Sequence, residues 1–192
     1  MEQHTDPRPI YEAAQEWAAG LLEAVVPDQL DLPTPCPEFI VGELAGHLLA
    51  VLDRARVVAE GGDVNAQPQV VRDVPEDGYP AAFRDRLPGV RAAWTDSVLA
   101  GQVRVPPGVM VTGETGLWKY VNEILVHGWD LAVATGQQVE APPAVAQPVL
   151  DRADGIISAE RRGGFIPFDP PVEPGPEAGP TEQLANWNGH RR

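Results

Sequence analysis

From Thr112 to Gly136 the chain leaves little room for anything but one long amphipathic helix. Leu117, Tyr120, Val121, Ile124, Gly128 and Leu131 fall on a single stripe at helical spacing. Thr112 or Thr115 can cap its start, Glu114 places a negative charge in the first turn, and Gly136 closes it. A helix this long is stable only if its apolar stripe is covered. The rest of the chain must therefore supply partners for it.

Other segments fit that role. Ile10, Ala14, Trp17, Leu21 and Val25 predict a first helix over residues 9–26, ended by Pro27. Residues 27–38 form a proline-punctuated loop. A second helix is predicted over residues 39–60, with Ile40, Leu44, His47, Leu48, Val51, Leu52, Ala55 and Val58 on its face and Gly61-Gly62 as its stop. Phe83, Leu87, Val90 and Trp94 predict a third helix over 79–99, kinked or split at Pro88. Residues 103–108 read as an extended segment with a turn. The helix over 112–135 is then the fourth, and Val145, Val149, Ala153, Ile156 and Ile157 predict a fifth over 143–160. The stretch 167–180 is too rich in proline for a helix or a central strand, and is expected to lie over the bundle as an extended arm.

Charge narrows the partners. The 192 residues carry a formal net charge of −14. Such a surface repels phosphate backbones and anionic membranes, so neither a nucleic acid nor a membrane is the expected partner. Cys36 is the single cysteine, which excludes an intrachain disulfide and fits a reducing cytoplasm. Residues 10–26 carry Glu12, Glu16 and Glu23 and do not form a signal peptide or membrane span.

Polar residues inside the stripes carry the chemistry. Glu123 and His127 stand four apart on the fourth predicted helix, which stacks their side chains about 5–6 Å apart at Cβ. His47 lies between Leu44 and Val51 in the second, where an imidazole must find a partner, since an unpaired buried polar group costs about 1–3 kcal/mol. Helical bundles build metal sites from such inward carboxylates and imidazoles, so His47, Glu123 and His127 form a candidate divalent-metal site. Spacing alone leaves other outcomes open: a core histidine bonded to a carbonyl, a local Glu–His bond, or a solvated Glu123. Asp130 could orient an imidazole from behind, although an arginine is its expected partner. His4 and His190, near the termini, are expected to be solvated. Cys36 lies eleven residues before His47, about 16 Å along a helix. It is expected to pack at the helix entrance rather than reach the same ion.

Two stretches resemble a known family. Thr34-Pro35-Cys36-Pro37-Glu38-Phe39-Ile40-Val41-Gly42-Glu43-Leu44-Ala45-Gly46-His47-Leu48 resembles the motif opening the second helix of the mycothiol-dependent maleylpyruvate isomerase N-terminal family, within the DinB-like superfamily. Glu123-Ile124-Leu125-Val126-His127-Gly128-Trp129-Asp130-Leu131-Ala132, followed by Thr135-Gly136, resembles its second signature. The likeness is greatest to the actinobacterial metal-binding branch. It implies an all-α, up-and-down four-helix bundle, here with an additional C-terminal helix and a Pro-rich extended tail. Residues 1–162 would be the metal-binding bundle, and 163–192 a tail packed on it or trailing from it. The resemblance also implies a divalent metal, commonly zinc, on His47, Glu123 and His127.

Relatives use a low-molecular-weight thiol such as mycothiol or bacillithiol. The expected function is therefore a metal-dependent thiol S-transferase or a thiol-assisted isomerase, with mycothiol as co-substrate and a small electrophile as partner. The alternative is a non-catalytic metal- or ligand-binding module, possibly homodimeric. No catalytic acid or base is assigned by the sequence. Two departures stand out. The chain leaves no length for the second domain of the isomerase proper, so maleylpyruvate is not the expected substrate. It also ends in Asn186-Trp187-Asn188-Gly189-His190-Arg191-Arg192 rather than in the short Gly-Arg ending expected of relatives.

Overall fold

A computed structural model describes residues 5–158 and 169–192. The long helix forms as the stripe requires: α5 spans Gly113–Thr135. Around it stand α1 (Arg8–Glu23), α2 (Val41–Ala59) and α3 (Tyr79–Ala93). Helix α5 packs on α1 and α2, and both of those pack on α3, which closes a ring of four helices. Their facing stripes make one core in which Ala14, Leu22, Leu44, Leu48, Leu52, Phe83, Leu117 and Ile124 are fully buried. Ion pairs fasten the rim. Arg91 and Arg84 of α3 reach Glu16 of α1, and Arg86 reaches Asp53 of α2. Each exposed pair is worth at most about 1 kcal/mol, so the apolar core holds the ring together.

One expectation shifts here for a local reason, and the extended segment with a turn forms as the sequence implies. The third predicted helix does not split at Pro88, which sits inside an unbroken α3. It ends instead at Trp94, because Thr95 starts a new helix, α4 (Asp96–Ala100), by accepting the Val98 amide on its hydroxyl. The extended segment after it is one arm of a hairpin. Strand β1 (Gln102–Val105) pairs antiparallel with β2 (Val109–Thr112), Val103 facing Val111, around a cis Pro106–Pro107 bond. Val103 and Val105 turn inward onto the core.

Thr112 ends β2 and caps α5, accepting the Thr115 amide at 3.2 Å. Thr112→Ala should cost about 1 kcal/mol. Thermal unfolding should register this as a midpoint about 2–4 °C lower.

The fifth predicted helix is two short ones, α6 (Pro143–Leu150) and α7 (Ala153–Ile156); residues 159 and 160 lie outside the described part. The described arm, 169–179, is non-helical, as its prolines require. It leads into α8 (Pro180–Trp187), which packs on α5 and α6. The first amides of α8 are satisfied from outside: Glu140 accepts from Thr181 at 2.9 Å and from Glu182 at 3.2 Å. At its other end Gly189 takes the left-handed conformation, φ +92°. Its amide bonds to the Asn186 carbonyl and that of His190 to Ala185, both at 3.0 Å. This pair of bonds marks a glycine-terminated helix. The turn sends the last residues back toward the bundle instead of into solvent.

Candidate metal centre

Helices α2 and α5 lie side by side, and each contributes buried polar groups at their contact. The His47 ring is fixed from two sides. Its Nδ1 donates to the Gln69 carbonyl at 2.8 Å, and Phe39 stacks on its face at 4.8 Å between centroids. A carbonyl only accepts, so the proton is on Nδ1 and Nε2 keeps its lone pair. That Nε2 is buried and has no hydrogen-bond partner among the described residues.

His127 is set the same way. Its Nδ1 lies 3.0 Å from Asp130 Oδ2. Burial works to raise the Asp130 carboxyl, but bonds from His127 and His190 outweigh it and hold it below the ordinary range. The carboxylate therefore accepts, and His127 Nε2 is left free as well. Burial lowers the pKa of the His127 imidazole against the opposing pull of its bond to Asp130, and favours the neutral form.

Between the two imidazoles stands Glu123. Its Oε2 is 3.9 Å from His47 Nε2 and 3.7 Å from His127 Nε2, too far for hydrogen bonds. Desolvation works to raise this carboxyl. The attraction of His47, His127 and Arg54 outweighs it and holds the group down to about 2. One ligand atom from each of His47, Glu123 and His127 lies within 4.8 Å of the others. A tetrahedral zinc with bonds of about 2.0–2.1 Å sets its ligand atoms about 3.4 Å apart, so the Glu123 oxygen would have to approach each imidazole nitrogen by only a few tenths of an ångström. An orphaned imidazole nitrogen, a second free nitrogen and an ionised carboxylate facing one point are a donor set that fits a divalent cation.

Of the remaining sequence candidates, Asp130 does not pair with an arginine. Its side chain is fully buried and it accepts from two imidazoles, the second being His190 at 2.8 Å. His190 is accordingly not solvated; its side chain is 16% exposed. Burial works against a charge on His190, but the bond to Asp130 and that carboxylate's charge raise its pKa. His4 lies outside the described residues. Cys36 is buried, as a small hydrophobe would be, but the loop before α2 folds back and places it beside Asp130 and His190. Thr34 makes that fold, donating from its hydroxyl to the Cys36 and Phe39 carbonyls. The helical distance from Cys36 to His47 therefore does not apply.

The fold and these donors define a class: a helical bundle with two histidines and a carboxylate turned to one point between two helices. Residues 11–132 match the family described as the mycothiol maleylpyruvate isomerase N-terminal domain. The chain belongs to that family, as its two motifs imply. Two Mycobacterium tuberculosis proteins, uncharacterized protein MT0763 (strain CDC 1551 / Oshkosh) and uncharacterized protein Rv0738 (strain ATCC 25618 / H37Rv), are each 30% identical over 194 residues, covering 96% of this chain and 97% of theirs. The crystal structure of the mycothiol-dependent maleylpyruvate isomerase shares the fold, with a TM-score of 0.60 at 12% identity over 76% of this chain and 67% of that one. A histidine-to-alanine mutant of that isomerase superposes over the same shares of both chains, with a TM-score of 0.54. No helix among the described residues is long and apolar enough to cross a membrane.

Proposed function

We propose that the chain binds one divalent cation, zinc in the first instance, on His47, Glu123 and His127, and uses it to turn a mycothiol-type thiol on a small electrophile. The observation that carries this is the convergence of the three donors, with both imidazoles locked in the tautomer that presents Nε2. The family's name supports the thiol. Three protein donors leave a tetrahedral ion one open position, the pattern of catalytic rather than structural sites. When bound there, the ion supplies positive charge that keeps a thiol deprotonated at neutral pH.

The residues of the chain do the rest. His47 and Glu123 hold the site from opposite helices, Phe39 covers one imidazole face, and Asp130 keeps His127 from turning. In S-transfer the thiol sulfur forms a bond to carbon, the leaving group departs with its electron pair, and the thiol proton goes to solvent. In thiol-assisted isomerisation the sulfur adds to a double bond, the bond rotates, and the sulfur leaves again, with no net change in atoms. The protein loaded with zinc and offered mycothiol with a panel of electrophiles should consume the thiol or isomerise a substrate. Glu123→Gln should lose that activity together with the ion. An ion bound without thiol turnover, and a Co2+-loaded spectrum that mycothiol leaves unchanged, would refute the thiol chemistry and favour a binding module.

A further inference from the structure

Behind the three donors lies a second layer that closes on the last residues of the chain. Asp130 is the centre of it. A carboxylate with no solvent contact must be fully bonded to be tolerated. Here Oδ2 takes His127 Nδ1 at 3.0 Å, while His190 Nδ1 lies 2.8 Å from Oδ1 and 2.9 Å from Oδ2. The rings of His127 and His190 meet edge to face at 5.6 Å.

His190 is held there by built structure. The Gly189 turn aims it inward, and the Asn186 side chain donates to its carbonyl at 3.0 Å. Asn188 and Asn122 exchange a buried reciprocal pair of amide bonds at 3.0 and 3.1 Å, which ties the turn to α5 one residue before Glu123. None of these C-terminal residues falls within the 11–132 match to the family.

We propose that His190 is a positioning residue of the metal site, acting through Asp130 to fix the ring orientation and tautomer of His127, so that the C-terminal turn sets how tightly the ion is held. This rests on the reading of His47, Glu123 and His127 as ligands. Cys36, Asp130 and His190 also come within 4.8 Å of one another, which poses the rival of a second ion. Both Asp130 oxygens are already occupied by imidazole N–H groups. Burial, partly offset by the Glu38 backbone amide, pushes the Cys36 thiol up to about 12, so beside this carboxylate it is a neutral thiol packed as a small hydrophobe. The cluster is a support, not a second centre.

Co2+ titration of the full chain, followed by its optical spectrum, with zinc affinity measured against a competing chelator, tests this. The wild type should bind one ion. His190→Ala should still bind one, about 10–100-fold more weakly, with a shifted Co2+ spectrum. Asp130→Ala should weaken binding at least as much, and the double variant should be no worse than Asp130→Ala alone. His190→Asn places an amide N–H where Nδ1–H stood and should recover most of the affinity, whereas His190→Gln, whose N–H sits further out, should not. If His190→Ala fails to fold by circular dichroism, the Asn–Gln contrast decides alone. Wild-type affinity in both His190→Ala and His190→Gln would overturn the proposal, and so would strictly additive losses in the double variant. Two ions in the wild type, one of them lost in His190→Ala, would overturn it in favour of a second centre. No ion in the wild type would overturn the ligand reading itself, and the proposal with it.

Discussion

His127→Ala should take the metal content of the purified protein from about one ion per chain to background, and His47→Ala and Glu123→Gln should do the same. Each removes one of only three protein donors, and the two that remain cannot hold a divalent ion against buffer. Elemental analysis of protein prepared without chelator reads this directly. Far-UV circular dichroism separates loss of the ion from loss of the fold. Acid should release the ion from the wild type, because ligands must be deprotonated and protons compete for them. The sign follows from the site. Glu123 is held down to about 2 and remains a carboxylate throughout the relevant range. The imidazoles therefore decide. His127 is lowered from 6.5, first by burial, so the ion is retained at neutral pH and lost only as pH falls below the ordinary imidazole range. Metal content unchanged in both histidine variants would sink the site.

The primary structure reveals the candidate donors more readily than their supports, for a physical reason. His47 stands out because it interrupts an apolar stripe, and Glu123 and His127 because they stand four apart on one helix face; a helix carries both patterns locally. Residue Asp130 stands equally close to His127, but its partner is sixty residues away. His190 reaches it only because α8 packs on α5 and Gly189 reverses the chain. Neither step leaves a periodic trace, although the Asn188-Gly189 pair is itself a helix-stop signal. Pro88 shows the opposite failure. A strong local breaker is tolerated where Phe83, Leu87 and Val90 are buried on both sides of it, and the break moves to Thr95, where a capping hydroxyl compensates the new amide ends.

Gly46→Ala should strike both the fold and the site, although residue 46 bears no functional group. Gly46 precedes His47 on α2, where the strap of residues 69–71 crosses the helix in near contact. A Cβ at Gly46 would lie 2.3 Å from the Val71 carbonyl oxygen and 2.9 Å from Val70 Cγ1. The first obstacle is backbone and cannot rotate away. The strap must lift, which breaks the 3.1 Å bond from the Val71 amide to the Gly46 carbonyl. Overpacking of this kind costs about 1–3 kcal/mol, or a midpoint lower by roughly 2–12 °C in a chain of this length. The same strap carries Gln69, whose carbonyl fixes His47 Nδ1. Lifting it frees the ring to change tautomer, so metal affinity should fall about 10–100-fold, in the manner of a lost supporting bond. Gly20→Ala supplies the contrast. Nothing lies within 4 Å of a Cβ there, and Gly20 sits within α1, so alanine should stabilise by up to about 1 kcal/mol and leave metal affinity unchanged. A Gly46→Ala protein as stable as the wild type, with an unaltered affinity, would show that the strap neither presses on α2 nor holds His47.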